Sequence, residues 1–319
     1  MRRGTPLPVA IALAACAALL SAPLSSCATP AASRKLAASW TELGNAWAGL
    51  GKWDKAGDAW SRAIALDPGQ GAAGYNLARA LAEAGKYDEA VAAADAVLAR
   101  DGDNAMTLGV KAWALHRAGR TDEAVAAYRR VLELNGGDAA TLMNLALLLE
   151  SAGRPGEAMD GYRDVLAAKP DDPAASVRLG ILLAADGRPE EALPHVERWL
   201  DANPDSAEGL GLLASVREAA GLYALAMESL SLLVEEQPDE AGAWFDLARL
   251  RLTVAGDASG GLEALGTALT LGFSDGKAID ALLSHPSLVS RAEAEALVAA
   301  ARALRVSPDT GIPAGGEGE

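Results

Sequence analysis

The chain has 319 residues, half of them hydrophobic, and a formal charge of −15 at pH 7 from 28 basic and 43 acidic side chains. A surface that acidic repels phosphate-rich partners, so nucleic acid and anionic headgroups are excluded as electrostatic ligands. Cys16 and Cys27 are the only cysteines, too few for a disulfide framework or a thiolate metal site.

The first predicted element is a leader. Arg2 and Arg3 form a basic end, and an uncharged apolar run follows from Pro6 to about Leu24. Small residues and a cysteine close it, in the order Leu24, Ser25, Ser26, Cys27. This order describes a secretory signal. The closing tetrad resembles the lipobox of bacterial lipoproteins. That resemblance implies cleavage after residue 26 and acylation of Cys27. It also implies outer-membrane sorting where such a membrane exists, since Ala28 is not a retention acid. Leu13, Ala14, Ala15 and Cys16 fit the same box. Cleavage there would leave Ala17 to Leu20 as an apolar stub and shorten the apolar run to about ten residues. An uncleaved anchor helix is the third reading, against which Pro6, Pro8 and Pro23 interrupt the run. Removing Arg2 and Arg3 takes the formal charge to −17, so membrane attachment rests on the acyl chains. Residues 27–36 are expected to form the lipidated end and a short tether.

The repeat region follows. Gly51, Gly85, Gly119, Gly153, Gly187 and Gly221 recur every 34 residues, and an alanine stands five residues after each, from Ala56 to Ala226. A period of that size marks a stack of identical supersecondary units. With the glycines at position 15, the first unit places Trp40, Leu43, Gly44, Trp47, Ala56, Trp60, Ala63 and Pro68 at positions 4, 7, 8, 11, 20, 24, 27 and 32. This pattern resembles the tetratricopeptide repeat. The resemblance implies an all-α, right-handed superhelical solenoid of about seven helix-turn-helix repeats with a helical C-terminal cap. The expected repeats are 37–70, 71–104, 105–138, 139–172, 173–206, 207–240 and 241–275. Small residues at positions 8 and 20 let paired helices approach closely, and glycine at 15 suits a left-handed C-cap. Gly256 comes 35 residues after Gly221, which predicts a one-residue insertion near residues 253–255. Residues 276–306 read as capping helices, and residues 307–319, rich in Gly, Pro and acids, read as a disordered tail.

Catalytic constellations are not found. His116, His195 and His285 stand apart with no partner at metal-ligand spacing. Gly69, Gly71 and Gly74 match a dinucleotide fingerprint but follow no strand. No enzyme activity, cofactor or metal is expected. The alternative is an envelope enzyme or enzyme subunit with an acidic site built from scattered carboxylates.

In tetratricopeptide proteins, positions 2, 5, 9, 12 and 13 of each unit face a concave groove. By that resemblance the groove here carries Tyr75, Arg79, Met106, Trp113, His116, Arg117, Met143, Leu147, Glu150, Val177, Ile181, Phe245 and Arg249. Such a surface is rich in apolar and aromatic side chains, which dominate recognition sites. Some of these residues instead fit packing against the neighbouring unit. The carboxylate clamp of some relatives is missing its basic residues, with Thr41, Met106 and Val110 in their places. The expected partner is an envelope protein or peptide segment with an apolar face. The expected role is a lipid-anchored adaptor or scaffold; within that class, a pilotin or an assembly factor for pilus, secretin or outer-membrane machinery is the alternative.

Overall fold

The computed structural model describes residues 29–306, and every regular element within them is helical. The expected leader with Cys16 and Cys27, and the expected tail after residue 306, lie outside the described residues. The chain forms two compact units, one ending at Pro170 and one beginning at Asp171.

The first unit holds four helical hairpins. They are α1 (Pro30–Gly49) with α2 (Trp53–Leu66), α3 (Gly71–Glu83) with α4 (Tyr87–Asp101), α5 (Ala105–Arg117) with α6 (Thr121–Asn135), and α7 (Ala139–Ser151) with α8 (Pro155–Ala168). The second unit holds α9 (Pro173–Ala185) with α10 (Pro189–Ala202), and α11 (Ala207–Ala219) with α12 (Tyr223–Glu236). Then come α13 (Ala241–Leu250), a π turn (Arg251–Ala255), α14 (Ala258–Thr270), α15 (Gly276–Ser284) and α16 (Arg291–Val306).

Two expectations need correction or refinement. Residues 30–36 are not a tether but the start of α1. Pro30 occupies the first turn, where a missing N–H costs nothing, and the Thr29 hydroxyl accepts from the Ala32 N–H at 3.4 Å. The extra residue before Gly256 is absorbed by the π turn, whose wider hydrogen-bond ring takes in one more residue than an α turn. Gly256 is thereby still delivered as a left-handed cap at φ +70°.

Local chemistry explains the alternation of helix and turn. Asn104, Asp138, Asp172 and Ser206 cap the first helices of successive repeats through their side chains. Each hairpin turn closes on the ladder glycine. At Gly119, φ is +75°, its N–H bonds the His116 carbonyl at 3.0 Å, and the Arg120 N–H bonds the Leu115 carbonyl at 2.9 Å. The same Schellman pattern of bonds recurs along the ladder.

Packing uses the small residues where the period places them. Ala56, Ala90, Ala124, Ala158, Ala192 and Ala226 are all 0% exposed. Gly44 lets the Trp60 indole lie against α1, for a Cβ there would stand 2.5 Å from the Trp60 Nε1. Trp60 in turn donates to the Asn45 side chain at 3.2 Å.

Candidate protein-binding groove

In the first unit, the first helices of three consecutive repeats wall one cavity of about 340 Å3. Helix α3 supplies Arg79, Ala82 and Glu83, and α5 supplies Met106, Gly109, Val110 and Trp113. Thr141 and Asn144 come from α7, and Tyr128 of α6 lies behind them. Helix geometry makes this inevitable: residues three or four apart share a face, so Met106, Val110 and Trp113 form one stripe along α5.

The expected groove residues divide into three groups. Arg79, Met106 and Trp113 are brought together at this cavity. Met106 is 66% exposed, an unusual state for a thioether that burial would otherwise stabilise. Trp113 is half-buried and meets the edge of Tyr87, with ring centres 6.1 Å apart at 84°. The Arg117 guanidinium lies 5.6 Å from the Tyr87 ring centre and 5.7 Å from that of Trp113. Arg79 lies 5.5 Å from the Trp53 ring centre. His116 is half-buried, and burial, helped by the Arg117 charge, lowers its pKa from the ordinary value.

Tyr75, Met143, Leu147 and Val177 are half-buried, and Ile181 is 41% exposed. None of these five lines the cavity.

The third group lies in the second unit and departs from expectation. Phe245 does not face a groove. It is 2% exposed and stacks on Phe273, with ring centres 4.1 Å apart. The reason is the cap. Phe245 belongs to the same buried cluster as Ile279, Leu282 and Val298 of α15 and α16, which cover a face that an ordinary repeat leaves to its neighbour. Arg249 is held rather than offered: it grips Glu218 with two bonds of 2.7 Å and reaches Asp246 at 3.4 Å. These bonds raise its pKa, while desolvation outweighs the arginine and raises that of the Asp246 carboxyl. Both residues line a second, larger cavity of about 740 Å3 between α11 and α13.

Three features of the first cavity escape a reading of positions 2, 5, 9, 12 and 13. Thr141 occupies position 3. Val110 and Asn144 occupy position 6, one step around the helix. Tyr128 occupies position 24, where an aromatic ring reads as a gap-filler. Its hydroxyl is buried and has no hydrogen-bond partner among the described residues, and burial pushes its pKa up to about 12. One repeat later the equivalent Tyr162 hydroxyl donates to Glu150. His116 stands where Glu150 would, and no such bond forms there. Asn45 and Asn76, on the first helices of neighbouring repeats, are bonded to each other, Asn76 donating to Asn45 at 3.1 Å.

Among the described residues no group of His, Cys, Asp or Glu is placed to hold a metal ion, and no helix is long and apolar enough to cross a membrane.

This is a helical-repeat protein with an open cavity on the first-helix face of one unit. Family profiles described as tetratricopeptide repeat match residues 48–114, 110–173 and 149–216. Together these span just over half of the chain, which belongs to the tetratricopeptide-repeat family. None of the curated proteins compared with the chain matches it. Solved structures are similar in fold. YrrB, described as a TPR protein with an unusual peptide-binding site, is 20% identical with a TM-score of 0.53, over 60% of this chain and 98% of its own. A tetratricopeptide repeat protein from Parabacteroides merdae is 17% identical with a TM-score of 0.51, over 78% of this chain and 98% of its own. Pseudomonas aeruginosa pilF is 18% identical with a TM-score of 0.50, over 65% of this chain and 94% of its own.

Proposed function

We propose that this protein is a non-enzymatic adaptor of the bacterial envelope, anchored by acyl chains on Cys27, that binds partner proteins through the cavity of its first unit. The observation that carries the binding role is Met106 and Trp113 standing at an open cavity walled by three consecutive first helices. An exposed apolar site of this kind is stabilised when a partner side chain covers it. YrrB, similar in fold, is described as having a peptide-binding site. The anchoring role rests on the residues Leu24 to Cys27 and on the basic and apolar segments before them. Tethering raises the local concentration of a captured partner at the membrane face. Such a protein is exported, and Ala28 after the cysteine favours the outer membrane where one exists.

Crosslinking in the native envelope followed by affinity capture tests both parts. Met106→Ala with Trp113→Ala should abolish capture while circular dichroism stays helical; undiminished capture would move the site elsewhere. Cys27→Ser should release the protein from membranes. Continued labelling by a lipid precursor in that variant would shift acylation to Cys16.

A further inference from the structure

We infer that the first-unit cavity takes an internal peptide segment in which a bulky apolar side chain is flanked by carboxylates. The inference rests on the adaptor reading and specifies the partner's chemistry.

Arginines elsewhere in the unit are mostly tied to acids. Arg120 and Arg154, for example, each bond two carboxylates. Arg79 and Arg117 are different. Neither makes an ion pair among the described residues, although the chain carries 43 acids. Both are exposed, and both lie over aromatic rings that fix their guanidinium groups beside the cavity. A guanidinium ordered by stacking loses little freedom when it grips a planar carboxylate. Arg79 lines the cavity, and Arg117 lies one helical turn beyond Trp113, which also lines it. One cation is therefore in the cavity wall, and the other is held on the ring of a wall residue, Trp113. Glu83 is the one acid in the lining.

The buried Tyr128 hydroxyl is the independent sign of a ligand. A phenol that is 2% exposed and has no partner is a cost of the free state that an acceptor on the occupant removes. A cavity of about 340 Å3 suits one large apolar side chain with its flanking backbone. The overall charge of −15 opposes an acidic partner at long range. That field is screened beyond about 8 Å at physiological ionic strength, so the nearby arginines decide recognition at contact.

The probe is a dodecapeptide phage library panned against the full chain held in detergent. The peptides are fused at their C-termini, so no free terminal carboxylate takes part. Enriched sequences should place Asp or Glu within two residues of Phe, Leu or Met. Binding of a synthetic peptide from that set should weaken roughly tenfold or more in Arg79→Glu and in Arg117→Glu. Tyr128→Phe should weaken it about threefold to tenfold without lowering the melting temperature, a combination that a purely structural role would not produce. Enrichment of neutral or basic peptides, indifference to both arginine variants, or no enrichment at all would overturn the inference. If Met106→Ala with Trp113→Ala abolishes binding while the arginine variants do not, the groove stands and the acidic partner falls. If none of these substitutions matters, both fall.

Discussion

At the scale of the residue, the hairpin turns are decided by one atom, the Cβ that glycine lacks. A Cβ built on Gly119 meets nothing within 4 Å, yet φ there is +75°. The cost of alanine is therefore backbone strain alone, about 1–2 kcal/mol. Gly109, inside α5, also has open space around its Cβ but has helical dihedrals, so alanine there should stabilise by up to about 1 kcal/mol. Urea midpoints should move in opposite directions for Gly119→Ala and Gly109→Ala. Equal losses at both positions would show that packing, not backbone conformation, governs these glycines. The ladder was legible because left-handed φ restricts a position almost to one amino acid. Phe245 was not, because position 5 carries no such mark: the same register places one residue at an open face and another beneath a cap. Tyr128 was half legible. Its ring could be read as core, but only the side chains around it reveal that its hydroxyl lacks the acceptor that Glu150 supplies to Tyr162.

At the scale of the element, successive hairpins are stitched by charges as well as by alanines. Arg120 bonds Glu123 within its own helix start and reaches Asp88 of the preceding repeat at 3.4 Å. Arg154 repeats the arrangement with Glu157 and Asp122. The arginine hydrogen bonds hold the Glu123 and Glu157 carboxyls below their ordinary 4.5. A carboxyl with a depressed folded pKa contributes stability that is complete above the unfolded value and is lost as pH falls through the folded one. The window therefore opens below about pH 4.5 and leaves neutral pH untouched. These groups are exposed, so each pair contributes little and salt weakens it. Acidification also relieves the self-repulsion of an acidic chain, which works the other way. The informative quantity is a difference that cancels the common term. The melting temperature of the native chain, minus that of a variant carrying Arg120→Gln, Glu123→Gln, Arg154→Gln and Glu157→Gln, should be steady above pH 5 and shrink towards pH 3. A difference that is unchanged or larger at pH 3 would mean that the ladder is decorative.

At the scale of the whole molecule, a repeat array has no central core, and each unit is stabilised by its own hairpins and its neighbours. The end of such a stack must cover an apolar face that no further repeat will cover. Here α15 and α16 do this. Ile279, Leu282, Leu288 and Val298 are buried against Phe245, Leu252 and Leu265. Burying each of those four side chains contributes roughly 1.5–3 kcal/mol before the entropy of ordering the cap is subtracted. The cap was only partly legible for the same reason: its helices carry no 34-residue register, so periodicity could mark where the array stops but not what it closes against. The residues that the cap covers, Phe245, Leu252 and Leu265, all belong to the second unit. A chain ending at Asp275 should expose the Phe245 cluster and loosen α13 and α14 first. Hydrogen exchange should accelerate about tenfold or more at amides of those two helices, as expected for losing more than about 1.4 kcal/mol of local stability. Amides of α5 and α7 should keep their protection, and the first-unit cavity should bind as before. Equal acceleration in α5 and α7 would show that the cap stabilises the molecule as a single cooperative body, and the nearest-neighbour account of this array would then be wrong.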